Sequence, residues 1–367
     1  MSIPKVASIL STRSPALSRE SATHLARRAV DSAREGTDEI TRRRAMDAVR
    51  TRIASATSAS ARTHARSRHR ARGRRATAAR PSIRARAEVS DGEDAVPETY
   101  VDLACRLADA AGVVTTSMFR RRDLVVDDKS DASPVTIADR EAESVMRMLV
   151  TKECPTHAIF GEEHGIELGS NGSSEWMWVF DPIDGTKSFI TGKPLWGTLI
   201  ALLHNGEPVL GILDQPVLKE RWIGVRGKRT TMNGKQISVK KNESLADAYM
   251  YSTTPLMFEG MNAAKYDTLA SKVKIPMFGC DCYAYGLLAM GFADLVVEAD
   301  LKPYDYMALV PIVKGAGGSM TDWKGQELVF TADRAALESG QFQGEVIAAC
   351  DETLLRDATS ILSKTLF

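Results

Sequence analysis

Between residues 98 and 120 apolar side chains return every three or four positions, at Val101, Leu103, Ala104, Leu107, Ala108, Ala111 and Val114, which predicts an amphipathic helix. Residues 127–134 are polar and turn-like, and 136–150 carry a second helical pattern through Ile137, Ala138, Val145, Met148 and Leu149. A short strand is expected at 158–160, followed by Gly161-Glu162-Glu163 and a Gly- and Ser-rich mobile loop over 165–174. The strongest strand signal is Trp176-Met177-Trp178-Val179-Phe180. It should stop at Asp181-Pro182, because proline has no amide proton and restricts the residue before it.

The later pattern is richer in hairpins at first and more alternating towards the end. Strands are predicted at 198–204 and 208–214, joined by Asn205-Gly206, and at 221–225 and 236–239, with a turn at Asn233-Gly234. After these come a strand at 248–252, a helix at 258–271, a small-residue helix at 283–291 and a strand at 295–298. A helix at 304–314 closes on Gly315-Ala316-Gly317-Gly318, and strands at 320–323 and 344–349 precede a last helix at 352–362. Helices and strands mixed in this way indicate an α/β or α+β protein in two layered halves.

Charge divides the chain more sharply than hydropathy does. The 367 residues carry 48 basic and 47 acidic side chains, but residues 1–87 hold 20 Arg and one Lys against 6 acids, a net of +15. The remainder is therefore acidic, and from 48 to 87 no acid occurs at all. An Arg-, Ser- and Ala-rich, acid-poor N-terminus is the composition of an organelle transit peptide, and a plastid is the expected destination. A nucleic-acid-binding arm would also be basic, but this one lacks aromatic residues to stack on bases, so no nucleic-acid partner is expected. No apolar run reaches the roughly 18 to 20 residues that cross a bilayer, so no membrane partner is expected either. The resulting division is 1–87 transit peptide, 88–240 an N-terminal half and 241–367 a C-terminal half.

Acidic residues carry the candidate chemistry. Asp181 and Asp184 stand three apart at a strand end, Glu162 and Glu163 follow another strand, and Asp139 and Asp305 open helices. Each of the last two has an ordinary explanation as a helix-start acid. Asp181-Pro182-Ile183-Asp184-Gly185 can likewise be a plain turn. Taken as a set, however, they offer the oxygen ligands that a hard divalent cation and a phosphate ester require. Gly185 and Thr186 add backbone N–H groups for an anion. His157, His164 and His204 have no metal-ligand spacing. Cys280 and Cys282 lack both the redox spacer and a second pair, so an all-oxygen site is favoured.

Glu162-Glu163, Asp181-Pro182-Ile183-Asp184-Gly185-Thr186 and Pro303-Tyr304-Asp305-Tyr306-Met307-Ala308 together resemble the metal motifs of the inositol monophosphatase family, from about residue 98 onwards. Lys187-Ser188 and the run from Phe278 through Asp281 to Tyr285 look most like its histidinol-phosphate phosphatase branch. The resemblance implies a layered α-β-α-β-α sandwich, a homodimer, a small phosphorylated substrate, and two or three Mg²⁺ ions as cofactor. It would place Glu162, Asp181 and the Ile183 carbonyl on one Mg²⁺, and Asp181, Asp184 and Asp305 on a second. Thr186, held by Asp139, would orient the attacking water beside Glu162, and the Gly185 and Thr186 amides would bind phosphate. Gly279, Asp281 and Glu298 fall at positions that face the alcohol. Asp281 is expected to meet the ammonium of L-histidinol phosphate, or else merely to cap the next helix. Tyr283 and Tyr285 are candidate imidazole contacts. An inositol or other sugar monophosphate is the alternative substrate.

Overall fold

The computed structural model describes residues 95–128, 134–330 and 342–364. All of them belong to one compact unit, Val89–Phe367. The basic arm expected over 1–87 lies outside the described residues.

The chain begins with helix α1 (Glu98–Met118), a small ribbon of β1 (Val126–Asp128) and β2 (Pro134–Thr136), and helix α2 (Ile137–Glu153). Strands β3 (Ala158–Gly161), β4 (Gly165–Glu167) and β5 (Trp176–Asp184) lead to helix α3 (Thr186–Ile190). Then come β6 (Gly197–His204), β7 (Glu207–Gln215), β8 (Glu220–Val225), β9 (Thr231–Met232) and β10 (Lys235–Gln236). The second half alternates: β11 (Tyr249–Ser252), α4 (Gly260–Ala270), β12 (Ile275–Phe278), α5 (Tyr283–Ala289), β13 (Leu295–Glu298), α6 (Pro303–Tyr306), α7 (Leu309–Gly315), β14 (Ser319–Asp322), β15 (Val346–Ala349) and α8 (Glu352–Leu362).

Strands from the first half form an eight-stranded sheet in the order β10-β9-β8-β7-β6-β5-β3-β4, and those from the second a five-stranded sheet, β12-β11-β13-β15-β14. Helices α1 and α2 cover one face of the larger sheet, and α5 and α7 lie between the sheets. Helices α4 and α8 close the outer face of the smaller one. Five layers result, an α/β sandwich. The main core fills the space between the sheets, with Leu199, Leu213, Trp222, Leu288, Ile312, Val296 and Val346 all buried. Both hairpin turns form as their sequences predict. Asn205 and Gly206 have φ of 51° and 84°, and Asn233 and Gly234 have 50° and 78°, the paired left-handed residues of a two-residue loop.

Several elements depart from the sequence expectation, the β1–β2 ribbon at the ends of the polar stretch 127–134 among them. Strand β5 does not stop at Pro182 but runs on to Asp184, with a bulge against β6 between Asp181 and Asp184. Pro182 falls where the pairing is already interrupted, so its missing N–H is not needed by the ladder. Part of the loop expected at 165–174 is strand β4, antiparallel to β3. Strand β12 carried no alternation to find. Its four residues are exposed, and it sits on a sheet edge, where Pro276 is tolerated. The single helix expected at 304–314 is broken into α6 and α7, because Pro311 cannot donate to the carbonyl four residues back and crowds it.

Helix α7 approaches the large sheet unusually closely. Gly211 and Gly224 face each other across β7 and β8. A Cβ on Gly211 would fall 1.8 Å from the Ala308 carbonyl oxygen, and one on Gly224 would fall 2.3 Å from the Ile312 nitrogen. The helix rests on bare backbone at both places.

Candidate active site

The site is built where β5 ends. The bulge turns the chain so that Asp181 and Asp184 point the same way, and the Asp181 carboxylate accepts the Ile183 N–H at 3.0 Å. From β6, the Thr198 hydroxyl donates to the Pro182 carbonyl at 2.8 Å and holds the turn down. Beneath it Ile183, Phe189, Trp196 and Ala138 form a small apolar cluster with Phe119 against it. Asp305 arrives from the other half, in the first turn of α6, where Oδ2 accepts the Lys302 N–H at 2.7 Å. One carboxylate oxygen from each of Asp181, Asp184 and Asp305 lies within 4.8 Å of the others. Asp305 is thus both a helix-start acid and a member of the cluster.

Glu162 follows β3, which is parallel to β5, and its N–H donates to the Phe180 carbonyl at 3.1 Å. This brings its side chain against Asp181. The electrostatics are strongly unfavourable for anions alone. Burial pushes the Asp181 carboxyl well up, and Glu162, Asp184 and Asp305 push it further. Burial likewise raises Asp184, with Asp281 and Asp305 adding to it, while a hydrogen bond with the Cys282 thiol favours the ionised form; the Cys282 N–H also donates to Asp184 Oδ2 at 2.5 Å. Asp305 is raised to about 8 by burial and then by Glu162. Converging hard oxygens, too crowded to ionise together without a counter-charge, fit a divalent cation such as Mg²⁺.

Gly185 joins this cluster to α3 with φ of +88°, and a Cβ there would lie 3.1 Å from the Asp281 carboxyl carbon, so the position requires glycine twice over. Thr186 opens α3. The expected bond from Asp139 to Thr186 is not formed. The Thr186 hydroxyl donates instead to the Ile183 carbonyl at 3.2 Å. Asp139 takes the Thr136 hydroxyl at 2.5 Å and the Thr136 N–H at 2.9 Å on one oxygen, closing a capping box at the start of α2. Its other oxygen, Oδ1, is buried with no hydrogen-bond partner, and burial raises the carboxyl to about 7.

The residues expected to face the alcohol behave differently from one another. Asp281 has a left-handed φ of 48° and does not cap the next helix, whose start at Cys282 has no side-chain cap. Its Oδ2 accepts the Ser188 hydroxyl at 2.9 Å. Burial pushes the Asp281 carboxyl up, and Ser188, Lys193 and Lys187 pull it back. Gly279, at φ +84°, offers its carbonyl to the Lys193 ammonium. Glu298 is buried and committed to the protein: it accepts from the Thr253 hydroxyl at 2.5 Å, the Thr253 N–H at 3.0 Å and the Tyr285 hydroxyl at 2.8 Å. The two tyrosines expected at an imidazole differ in exposure. Tyr285 is buried against Glu298, and Tyr283 donates to Glu220 at 2.7 Å with its ring edge-on to Trp222. Sequence reasoning missed Ser188 and Lys193 as supports of Asp281. It also missed Thr136, although a Thr three residues before an Asp at a helix start signals a capping box.

A sandwich of this architecture, with an acidic trio of buried Asp181 and half-buried Asp184 and Asp305 gathered at a strand bulge, defines a metal-dependent phosphatase. The sequence matches the inositol monophosphatase family over residues 97–355, and the chain belongs to that family. It is 47% identical over 285 residues to the bifunctional phosphatase IMPL2, chloroplastic, of Arabidopsis thaliana, covering 77% of this chain and 80% of that one. It is 34% identical over 250 residues to the histidinol-phosphatase of Chlorobaculum parvum, covering 68% of this chain and 95% of that one. Among solved structures, an inositol monophosphatase from Zymomonas mobilis superposes with a TM-score of 0.64 at 43% identity, covering 73% of this chain and 98% of that one. Members of the family act on small phosphorylated substrates. Among the described residues no helix is long and apolar enough to cross a membrane.

Proposed function

We propose that this chain is a Mg²⁺-dependent phosphomonoesterase that hydrolyses L-histidinol phosphate to L-histidinol and phosphate, as a step of histidine synthesis. The observation that carries the substrate is Asp281. It is an acid beside the acidic trio, tethered by Ser188 and without a helix to cap, so it is available to a cationic headgroup. The histidinol-phosphatase name of the Chlorobaculum relative supports the same reading, and the Zymomonas structure supports the second reading, an inositol or other sugar monophosphate.

Asp181, Asp184, Asp305, Glu162 and the Ile183 carbonyl are the groups that would hold Mg²⁺. Bound there, the ion supplies positive charge to the phosphate oxygens and acidifies a neighbouring water. Glu162 takes the proton of the attacking water. The Thr186 hydroxyl, its hydrogen committed to Ile183, turns a lone pair towards that water and orients it. The Gly185 and Thr186 amides hold the phosphate. A bond forms from water oxygen to phosphorus, the ester P–O bond breaks, and the electron pair leaves with the alcohol oxygen, which solvent protonates. The chain itself forms no covalent intermediate.

Asp281→Ala is expected to lower kcat/KM for histidinol phosphate about 10- to 100-fold, the worth of one hydrogen bond to a charged group. Inositol 1-phosphate should be affected far less, and an equal loss on both substrates removes the ammonium contact. Residues 1–87 act as a plastid transit peptide on this reading, in line with the chloroplastic name of the Arabidopsis relative. N-terminal sequencing of the mature protein should begin near 84–88, and recovery of an intact arm counts against it. The family resemblance also implies a homodimer, for which sedimentation should give twice the chain mass.

A further inference from the structure

Glu143 is a carboxylate that the proposed chemistry does not use, yet it is fully buried, at 0% exposure. It lies in α2 four residues after Asp139, and so on the same face of the helix. Its Oε2 accepts the Glu163 N–H at 2.8 Å. Its Oε1 accepts the His164 N–H at 3.2 Å and the Arg147 Nε at 2.7 Å. Arg147 in turn donates to the Gly165 carbonyl and reaches Glu167 at 3.5 Å. One buried ion pair therefore grips both arms of the turn between β3 and β4, and Glu162 is the first residue of that turn.

Gly161 shows how closely the pair is built in. A Cβ at that position would fall 2.1 Å from Glu143 Oε1 and 2.3 Å from its carboxyl carbon. The carboxylate occupies the volume that any side chain at 161 would need, which explains a glycine immediately before the two glutamates. A buried ion pair is a weak source of stability, because desolvation consumes most of its attraction. Its geometric effect is larger: two successive backbone N–H groups are fixed by one charged acceptor, and charge-assisted bonds of this kind are short and directional.

We propose that Glu143, locked by Arg147, is a positioning residue that fixes the turn carrying Glu162 and thereby sets the affinity of the acidic cluster for its cation. The inference rests on Glu162 being a ligand. Helix α2 would then serve the site through Glu143, one turn after the capping box that Asp139 closes. Outer partners of metal ligands are typically worth about 10- to 100-fold in metal affinity.

The test is direct Mn²⁺ binding to the full chain, by calorimetry and by the electron paramagnetic resonance signal of free Mn²⁺. Glu143→Gln, Glu162→Gln, Arg147→Lys and Arg147→Met are compared with the unaltered protein. Glu143→Gln is expected to weaken Mn²⁺ binding about 10- to 100-fold. KM at saturating Mg²⁺ should stay within about twofold, because the substrate contacts are untouched. Arg147→Lys should weaken Mn²⁺ binding less than Arg147→Met. Unaltered binding in Glu143→Gln, with weakened binding in Glu162→Gln, overturns the inference and leaves the reading of Glu162 standing. Unaltered binding in Glu162→Gln removes that reading and the inference with it. Should Glu143→Gln fail to fold, Gly161→Ala displaces the carboxylate without deleting it. Weakened Mn²⁺ binding there supports the proposal, and full affinity overturns it.

Discussion

Asp181→Asn should cost at least about 10³-fold in kcat/KM and, in the same protein, raise the thermal stability of the metal-free form. The two effects have one cause. Asp181 is fully enclosed, touched by Glu162, and flanked by Asp184 and Asp305. As a carboxylate it is a central donor to a cation. Without a cation it is a buried charge among like charges, and an amide of the same shape removes the repulsion while keeping an oxygen for the Ile183 N–H. A surplus of about 1 kcal/mol moves the melting temperature of a chain this size by roughly 2–4 °C. Parallel melting curves in EDTA and in Mg²⁺ give the answer: the variant should melt higher in EDTA and lose most of the Mg²⁺-dependent gain. A variant that is inactive and also less stable in EDTA would mean that the carboxylate is held by compensating bonds and is not strained.

The same crowding gives the metal-free protein an unusual pH dependence. In the folded chain Asp305 titrates near 8 and Asp139 near 7, both raised from 3.8 by burial. Between the unfolded and folded values the native state keeps protons that the unfolded chain has released, so stability falls as pH rises. The contribution is intact below about pH 4 and is lost progressively on the way to about pH 8. Melting in EDTA should therefore occur at a clearly lower temperature at pH 8 than at pH 5. Saturating Mg²⁺ at pH 8 should restore about 5 °C or more, the shift expected when a ligand at about 100 times its Kd binds only the native state. Asp305→Asn should flatten the profile. A profile already flat in EDTA between pH 5 and 8 would show that these carboxyls are not strained in the folded chain.

Much of this site was legible in the sequence, and what was hidden was hidden for identifiable reasons. Asp181, Asp184 and Asp305 could be picked out because acids at strand ends and helix starts are unusual companions, and the structure brings all three together. The helices at 98–118 and 352–362 and the two Asn-Gly hairpins followed from periodicity and turn chemistry alone. Proline was harder to interpret. Pro182 looked like a terminator and lies in a bulge, whereas the helix expected at 304–314 runs across Pro311 and is broken before it. In both cases the deciding fact was whether the lost N–H had a partner to lose, and that depends on neighbours distant in sequence. Asp139 gave a subtler miss. Its helix-start position was clear, but the capping box with Thr136 takes one carboxylate oxygen, and the other has no partner and does not reach Thr186. The roles of Glu143, Ser188 and Lys193 were invisible because each acts on a partner at least 20 positions away.

Gly211 and Gly224 matter to the chemistry although neither is near it. The Ala308 carbonyl, three residues after Asp305, lies directly over the empty Cβ position of Gly211. Two of the three clustered aspartates belong to the larger sheet, and the third belongs to the segment leading into α7. Backbone against backbone leaves no side chain between them that could change rotamer and let the two parts slide. The position of Asp305 relative to Asp181 and Asp184 is therefore gauged by two absent methyl groups, and a substitution at either glycine is expected to push the start of α7 off the sheet and to loosen the fold there.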